Sequence, residues 1–268
     1  MLMAKRSSPR SSSVANSGAT PELRLFSVPG IPEILPGNDL VKSVTSAARR
    51  AAIRFENGDI LVIAQKIVSK AEGAFVQLTE VKPSPKARSL AERLKKDPRS
   101  VQVVLNESRR IVRSDHVLIA ETHHGFVCAN AGVDHSNVPG SDVVTLLPRN
   151  PDRSAEKFAA ALRKRTGKRV AVIISDTFGR PWRLGLTNVA IGASGLPVLL
   201  DLRGTRDRQG KLLSATILAV ADELAAAAGL LMDKSKGSPV VLIRGYRYKP
   251  CFEPATRIIR PSAEDLFR

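Results

Sequence analysis

Three apolar runs constrain the fold of this chain more than any other feature of its sequence. They are Ile60–Ala64, Arg169–Ile174 and Val240–Ile243, and each is almost entirely apolar and has the length of a strand. Continuous apolar strands are buried on both faces of a sheet, so helices must cover that sheet. With 268 residues, of which 43% are apolar, the chain can bury a sizeable core, which excludes a wholly disordered protein.

Apolar spacing and capping residues indicate the helices. The first helix is predicted to start at Asn38 or Asp39, either of which can cap it, with an apolar face that reaches Ala51. Three further helices are predicted over Lys86–Lys96, over Ser154–Thr166, which Gly167 would close, and over Ala219–Met232.

The middle of the chain carries four short strand-like segments in close succession. They are Val101–Leu105, Ile111–Arg113, His116–Ala120 and Gly125–Cys128. Such close spacing predicts antiparallel pairing. Together with the buried strands and the helices, it indicates a mixed α/β (α+β) fold built from two subdomains.

Several classes of protein are excluded or disfavoured. No stretch of 18 apolar residues exists, so we expect no membrane span, and the N-terminus lacks the apolar run of a secretory signal. Two cysteines, Cys128 and Cys251, make neither a disulfide framework nor a zinc site, and the expected compartment is the reducing cytoplasm. The net charge of +17 indicates anionic partners, and nucleic acid is one such class, although only 4% of residues are aromatic.

The common nucleotide-binding motifs are absent. The sequence contains no Gly-x-x-x-x-Gly-Lys-[Ser/Thr] P-loop, and no Gly-x-Gly-x-x-Gly dinucleotide fingerprint follows a strand. Any nucleotide site must therefore be of a rarer kind.

The first of three polar clusters follows the strand Ile60–Ala64. That strand delivers Gln65, Lys66, Ser69 and Lys70 to one end of the sheet. Lysines in this position can meet phosphate oxygens as point charges. The alternative is a solvated loop after a strand.

The second cluster is a short loop around a glycine turn. It contains Asn130, Asp134, His135, Ser136 and Asn137. A carboxylate and amides in such a loop can bind a hard cation or a metal that carries phosphate. The alternative is an Asx-turn loop whose side chains bond to its own backbone.

The third cluster follows the buried strand that ends at Ile174. Asp176 and Thr177 offer oxygen atoms to Mg²⁺ or Mn²⁺, and Arg180 and Arg183 can clamp a carboxylate or phosphate. The alternative makes Asp176 a helix cap, leaves the arginines on the surface and places Trp182 in the core. Asp134 and Asp176 could hold metal against the phosphates of a nucleotide, if the fold brings them together.

These stretches closely resemble the coenzyme F-420-0:L-glutamate ligase family, from about Leu25 to Gly245. Several long motifs occur in the same order as in the family. A match of all of them together excludes coincidence far better than a match of any one motif would. They are GDILVIAQKIVSKAEG (58–73), ESRRIVR (107–113), ETHHGFVCANAGVDHSNV (121–138), IISDTFGRPWRLG (173–185), GTRDRQGKLL (204–213) and ADELAAAAGLLM (221–232).

The resemblance implies a GTP-dependent amide ligase. A carboxylate of coenzyme F-420-0 would be phosphorylated by GTP, and the amine of L-glutamate would displace phosphate. A second glutamate would be joined through the γ-carboxylate. The substrates GTP, glutamate and F-420-0 are all anionic, which gives the basic charge a use other than nucleic-acid binding.

The resemblance also implies which residues carry the reaction. Lys70 and Asp176 would be catalytic, and Asp134, Asp176 and Thr177 would bind Mg²⁺ or Mn²⁺ at a pair of sites in each subunit. The positions that align with GTP contacts of the family are Ile31, Pro32, Glu33, Ile34, Gln65, Lys66, Lys70, Asn137, Asp233 and Lys234. Asp233-Lys234 and His135 depart from the family's usual residues.

The family further implies a homodimer of two-domain protomers. The predicted division is a disordered basic tail over 1–22, one subdomain from 23–100 with 170–245, a second over 101–169, and a variable segment over 246–268. Two alternatives to the ligase remain. One is a nucleotide-binding paralogue that acts on another acid, and the other is a basic nucleic-acid-binding protein.

Overall fold

The computed structural model describes residues 20–135, 142–232 and 237–265. Most of the predicted tail and the residues Asn137, Asp233 and Lys234 lie outside these ranges. The helices are α1 (Leu40–Arg50), α2 (Gln65–Glu72), α3 (Pro85–Leu94), α4 (Pro98–Asn106), α5 (Pro151–Thr166) and α6 (Val220–Gly229). The strands are β1 (Arg24–Ser27), β2 (Ile60–Ala64), β3 (Phe75–Gln77), β4 (Ser108–Ser114), β5 (Leu118–Thr122), β6 (Val127–Ala129), β7 (Val143–Thr145), β8 (Ala171–Arg180), β9 (Arg183–Ser194), β10 (Leu200–Asp201), β11 (Ile217–Leu218) and β12 (Val240–Arg244).

The main sheet has the strand order β1-β12-β2-β8-β9. Strands β2 and β8 run parallel, and the other neighbours in this sheet run antiparallel. The three apolar runs form its centre, as predicted, and helices cover both faces. One face packs against α1 and α5 through residues such as Val44 and Leu162, and the other packs against α6 through residues such as Leu224.

A separate hydrophobic core lies under the smaller sheets. Strands β4, β5 and β6 form an antiparallel sheet, which confirms the pairing predicted for the middle of the chain, and β3 pairs with β7. Helices α3 and α4 pack on this region with Leu90, Val104, Leu118 and Val144 in its core. The predicted subdomain boundaries stay a prediction.

One predicted strand is wrong, because Val101–Leu105 lies within helix α4. The run Val-Gln-Val-Val-Leu fits both a strand and a helix face, and the helix start decides between them. Asp97 caps the helix by accepting from the backbone N–H of Arg99 at 2.8 Å, and Pro98 occupies the first helical position. Val101 and Val104 then fall on one buried face.

The other helix predictions are confirmed, with shifted ends. Asp39 caps α1 by accepting from Lys42 N, and Asn150 starts α5 three residues earlier than predicted. Gly167 closes α5 in the left-handed conformation with φ of 72°. Within the described ranges, no helix is long and apolar enough to cross a membrane, and both cysteines are free.

Candidate active site

The candidate site lies where β2 ends and its parallel pairing with β8 stops. Ala64 is paired with Ser175, so the residues that follow each strand emerge side by side. In sheets with parallel strands, ligands collect at the carboxyl ends of those strands. Lys66 follows β2 by two residues, and Asp176 follows Ser175 directly.

A cavity of about 310 Å³ opens at this edge of the sheet. It brings together every predicted site residue that the structure describes. Those residues are Ile31, Pro32, Glu33, Ile34, Gln65, Lys66, Lys70, Asp134, Asp176 and Thr177. The convergence of Asp134 and Asp176, which spacing alone left open, is therefore confirmed.

The first polar cluster is a helix, so its interpretation as a solvated loop is wrong. Lys66 and Lys70 are four residues apart in α2 and therefore lie on the same face of the helix. Lys70 is only 5% exposed and Gln65 is 3% exposed. Gln65 accepts a hydrogen bond from the Ser69 hydroxyl at 2.8 Å, which pairs the amide oxygen of Gln65 with the hydroxyl proton of Ser69.

Each lysine meets a carboxylate across the cavity. Lys66 Nζ lies 2.6 Å from Asp134 Oδ2, and Lys70 donates to Glu33. The side chain of Lys70 is 6% exposed, whereas that of Glu33 is 68% exposed. A buried ammonium needs an anionic partner, and an exposed carboxylate can give up that place to a phosphate at little cost.

A left-handed turn positions Asp134. Asn130 and Ala131 have φ of 51° and Gly132 has φ of 74°, and the turn connects β6 to Asp134. A Cβ on Gly132 would lie 2.6 Å from Leu147, so only glycine fits there. The backbone of Asp134 then exchanges two hydrogen bonds with Thr145, at 3.0 and 2.9 Å.

The second cluster is divided by this segment. Asp134 faces the cavity, whereas His135 Nε2 lies 2.7 Å from Ser100 Oγ. Asn130 Oδ1 accepts a hydrogen bond from Lys96 Nζ at 2.8 Å. Asn130 and His135 therefore line a different cavity, whereas Ser136 and Asn137 lie outside the described residues.

The third cluster lies in a long β hairpin, so the helix-cap interpretation of Asp176 is wrong. Strand β8 runs past Asp176 and Thr177 and pairs with β9, where Thr177 is opposite Asn188. The Thr177 hydroxyl donates to Asn188 Oδ1 at 3.2 Å. Burial, and then the nearby charge of Asp176, raise the pKa of Cys128 to about 12.

The end of the hairpin carries residues that the site does not use. Arg180, Trp182 and Arg183 lie there and do not line the cavity. Trp182 is 83% exposed, so its assignment to the core is wrong. Sequence reasoning missed Asn188, which lines the cavity, because the strand opposite Asp176 was not predicted.

A bulge sets the register of the hairpin at the site. Ile174 pairs with Gly192 and Ser175 pairs with Ala190, so Ile191 has no opposite residue. Asp222, from the first turn of α6, accepts a hydrogen bond from the backbone N–H of Ala190 at 2.9 Å. Bulges next to sites re-aim side chains, and this one shifts the register that places Thr177 beside Asn188.

The oxygen atoms at the cavity fit a hard divalent cation. Asp134 and Asp176 supply carboxylates and Thr177 supplies a hydroxyl. The described residues contain no group of three or more His, Cys, Asp or Glu that could hold a metal alone. Mg²⁺ usually needs only one or two protein carboxylates and takes the rest of its shell from water and substrate phosphates.

Comparison with known proteins adds a family to this geometry. A family described as F420-0:Gamma-glutamyl ligase matches residues 30–245. A protein of Methanopyrus kandleri named Coenzyme F420:L-glutamate ligase is 48% identical over 259 residues, which cover 94% of this chain and 100% of that protein. A protein of the same name from Methanothermobacter thermautotrophicus is 47% identical over 250 residues, 92% of this chain and 99% of that protein.

Proposed function

The chain belongs to the F420-0:Gamma-glutamyl ligase family, and we propose that it joins L-glutamate to coenzyme F420-0 with GTP as co-substrate. The relatives at 47% and 48% identity carry the name of that ligase and are covered almost completely by this chain. Addition of a second, γ-linked glutamate to F420-1 is part of the proposal.

One observation carries the proposal beyond family membership. Two lysines on one helix face and the oxygen atoms of Asp134, Asp176 and Thr177 line the same cavity. Transfer of a phosphoryl group requires cations around the phosphates and oxygen ligands for a divalent metal.

The lysines would change partners when nucleotide binds. The phosphates would replace Glu33 at Lys70 and Asp134 at Lys66. Because Lys70 is 5% exposed, its attraction to a transferred phosphoryl group is screened less than it would be in open solvent. Lys70 would therefore stabilise the charge that develops during transfer.

The proposed reaction has two steps. A carboxylate oxygen of F420-0 attacks the γ-phosphorus of GTP, and the bond to the oxygen that bridges the β- and γ-phosphates breaks, which releases GDP and leaves an acyl phosphate. The amine of glutamate then attacks the acyl carbon, and the amide forms as inorganic phosphate leaves and the amine loses a proton. This chain would supply charge and orientation to both steps, with no covalent bond to the protein.

Asp134, Asp176 and Thr177 would hold Mg²⁺ or Mn²⁺ at this cavity. The ion would supply charge neutralisation for the phosphates. The hydrogen bond from Thr177 to Asn188 directs the hydroxyl proton away, so that a lone pair of Thr177 Oγ1 stays available to a cation.

A homodimer is also proposed. The hairpin end exposes Trp182 by 83%, Leu184 by 99% and Leu186 by 65%, which is costly for a monomer in water. Light scattering after size exclusion should give twice the chain mass of 28.9 kDa. The double variant Trp182→Ser with Leu184→Lys should shift the mass toward one chain, and a wild-type monomer would contradict the proposal.

Product analysis tests the ligase. Purified protein is incubated with F420-0, L-glutamate, GTP and Mn²⁺ or Mg²⁺, and products are identified by mass spectrometry. We expect glutamylated coenzyme, GDP and phosphate. Lys70→Ala should lower kcat by about 10² to 10³, as expected for loss of a charge that stabilises the transition state, whereas Lys42→Ala on the exposed side of α1 should not change it.

The same assay separates the ligase from the alternative. A nucleotide-binding paralogue would bind GTP but would not convert F420-0 or F420-1. Binding of GTP without any glutamylated product, in protein shown to be folded, would therefore reject the ligase and favour another acid substrate.

A further inference from the structure

A second cavity, of about 260 Å³, lies behind the segment that carries Asp134. Its polar residues are Lys96, Asp97, Ser100, Asn130 and His135, and apolar residues of α4, β5 and the loop before Asp134 form the rest of its wall. No residue lines both cavities, but Asp134 lines the first and its neighbour His135 lines the second. The two cavities are therefore separated by one backbone segment.

Lys96 brings a cation to this cavity. Its Nζ donates to Asn130 Oδ1 at 2.8 Å, and no carboxylate of the described residues forms an ion pair with it. An ammonium has three N–H donors, so this bond to a neutral amide leaves donors for a ligand. Burial lowers the pKa of Lys96, in keeping with an ammonium that lacks an anionic partner.

Ser100 and His135 form a second polar element on the wall. Ser100 is 8% exposed and lies 2.7 Å from His135 Nε2. The hydroxyl and the imidazole are hydrogen-bonded to each other, whichever of the two donates. Together they form a polar spot on a wall that is otherwise largely apolar. Asp97 also lines the cavity, where hydrogen bonds from Arg99 hold its pKa below the usual range, and an ion pair with Arg99 at 2.7 Å balances its charge.

This arrangement fits a small ligand that carries a carboxylate. Lys96 would pair with that carboxylate, whereas Asp97 is already paired with Arg99 at 2.7 Å. A cavity of this volume holds a molecule of amino-acid size, whereas one lysine beside one carboxylate is poorly suited to a nucleotide triphosphate. An amino acid therefore fits its charge and its size.

We propose that the second cavity binds the acceptor amino acid, with Lys96 on a carboxylate of L-glutamate; this assignment rests on the proposed ligase function. The amino acid would direct its amine past the Asp134–His135 segment, toward the cavity in which the acyl phosphate would form. Lys96, Ser100 and His135 would then determine which amine acceptor the enzyme takes.

Kinetics with varied glutamate test the assignment. Lys96→Ala should raise the KM for glutamate about tenfold or more, because a charge-assisted hydrogen bond is lost. The KM for GTP and the kcat at saturating glutamate should stay within about twofold. Lys96→Arg should recover part of the affinity, and Ser100→Ala should raise the KM for glutamate a few-fold. Lys82→Ala, at an exposed lysine, is the matched control.

Direct binding keeps the test independent of the ligase reaction. Saturation-transfer NMR with L-glutamate and the wild-type chain should show binding that Lys96→Ala weakens by a similar factor. If the wild type makes no product but binds glutamate through Lys96, the ligase function is rejected and an amino-acid site stands. If a folded Lys96→Ala variant shows an unchanged KM for glutamate and unchanged glutamate binding, the assignment is overturned while the ligase function stands. Absence of glutamate binding in the wild type also overturns the assignment. Should Lys96→Ala fail to fold, Lys96→Arg and Ser100→Ala decide by the same criteria.

Discussion

The two cavities on either side of the Asp134–His135 segment differ in how their lysines are paired. In the first, Lys66 and Lys70 each meet a carboxylate, from Asp134 and Glu33. In the second, Lys96 meets a neutral amide. A ligand of the first cavity must satisfy cations and carboxylates together, which suits phosphates that arrive with a metal. The second cavity has a cation without an anionic partner among the described residues, which suits a small organic acid.

The largest expected effect comes from removing a carboxylate of the first cavity. Asp176→Asn keeps the size of the side chain but removes the charge that would hold the metal. We expect ligation to fall by about 10³ or more, measured as glutamylated product per unit time. Glutamate binding to the second cavity should persist, because Asp176 does not line it.

The control for this variant is Asp115→Asn, whose carboxylate is 71% exposed beside Arg113. It should leave the rate unchanged. If Asp176→Asn retained most of the activity, the first cavity would not be the metal-dependent centre, and the comparison of the two cavities would fail.

Gly132→Ala should disturb both cavities, because the turn around Gly132 connects Asn130 to Asp134. The new Cβ would lie 2.6 Å from the Leu147 side chain. In addition, alanine would have to adopt a φ of 74°, which is strained for a residue with a side chain. We expect a loss of about 2–4 kcal/mol in the free energy of unfolding, measured by urea denaturation. Ligation and glutamate binding should both weaken.

Gly210→Ala provides a matched comparison. It has φ of 84°, but nothing lies within 4 Å of its added Cβ, so it reports the backbone strain alone. Its cost should be about 1 kcal/mol. Equal costs for the two variants would show that the contact with Leu147 does not restrict position 132.

Lys66→Met tests what the ion pair between Lys66 and Asp134 does in the first cavity. The ammonium of Lys66 lies 2.6 Å from Asp134 and competes with any cation for that carboxylate. Without nucleotide, the variant should bind Mn²⁺ several-fold more tightly, as followed by electron paramagnetic resonance. With nucleotide, the KM for GTP should rise, because a phosphate donor is lost. Weaker Mn²⁺ binding in the variant would contradict the assignment of Asp134 as a metal ligand.

The smallest effect concerns Cys128, which lies beside the first cavity. Its folded pKa of about 12 exceeds the ordinary value of 9.0, so the unfolded chain releases this proton first as pH rises. Stability should therefore fall above pH 9, by up to about 1.4 kcal/mol per pH unit from this group. Urea denaturation of wild type and Cys128→Ala should show a shallower fall in the variant, and parallel curves would contradict the shift.

The sequence predicted the centre of the fold well and its edges less well. The apolar runs of β2, β8 and β12 could only be buried strands, and their helices followed from caps and spacing. The run at Val101–Leu105 fitted two periodicities, and only the start signal Asp97-Pro98 separates them. The hairpin beyond Thr177 was missed because glycines and Pro181 interrupt its sequence, although the second half of β9 is apolar and buried. Its pairing with β8 supplies the register that places Thr177 opposite Asn188.

The candidate site was predicted through motifs and resemblance rather than through geometry. That Asp134 and Asp176 meet depends on β6 lying against β8, a contact between residues far apart in sequence. The separation of Asp134 from His135 depends on a left-handed turn that includes Ala131, a residue type that seldom adopts such a conformation. Neither feature has a local sequence pattern.

The register irregularities of the β8–β9 hairpin give the site a mechanical property. The ladder is regular from Ser175 to Gly179 and is interrupted at both ends, between Ile174 and Ser175 and between Gly179 and Arg180. A ribbon is stiff along an unbroken ladder and bends where the ladder breaks. We therefore expect Asp176 and Thr177 to move together, so that a displacement of the hairpin end would shift both side chains at once.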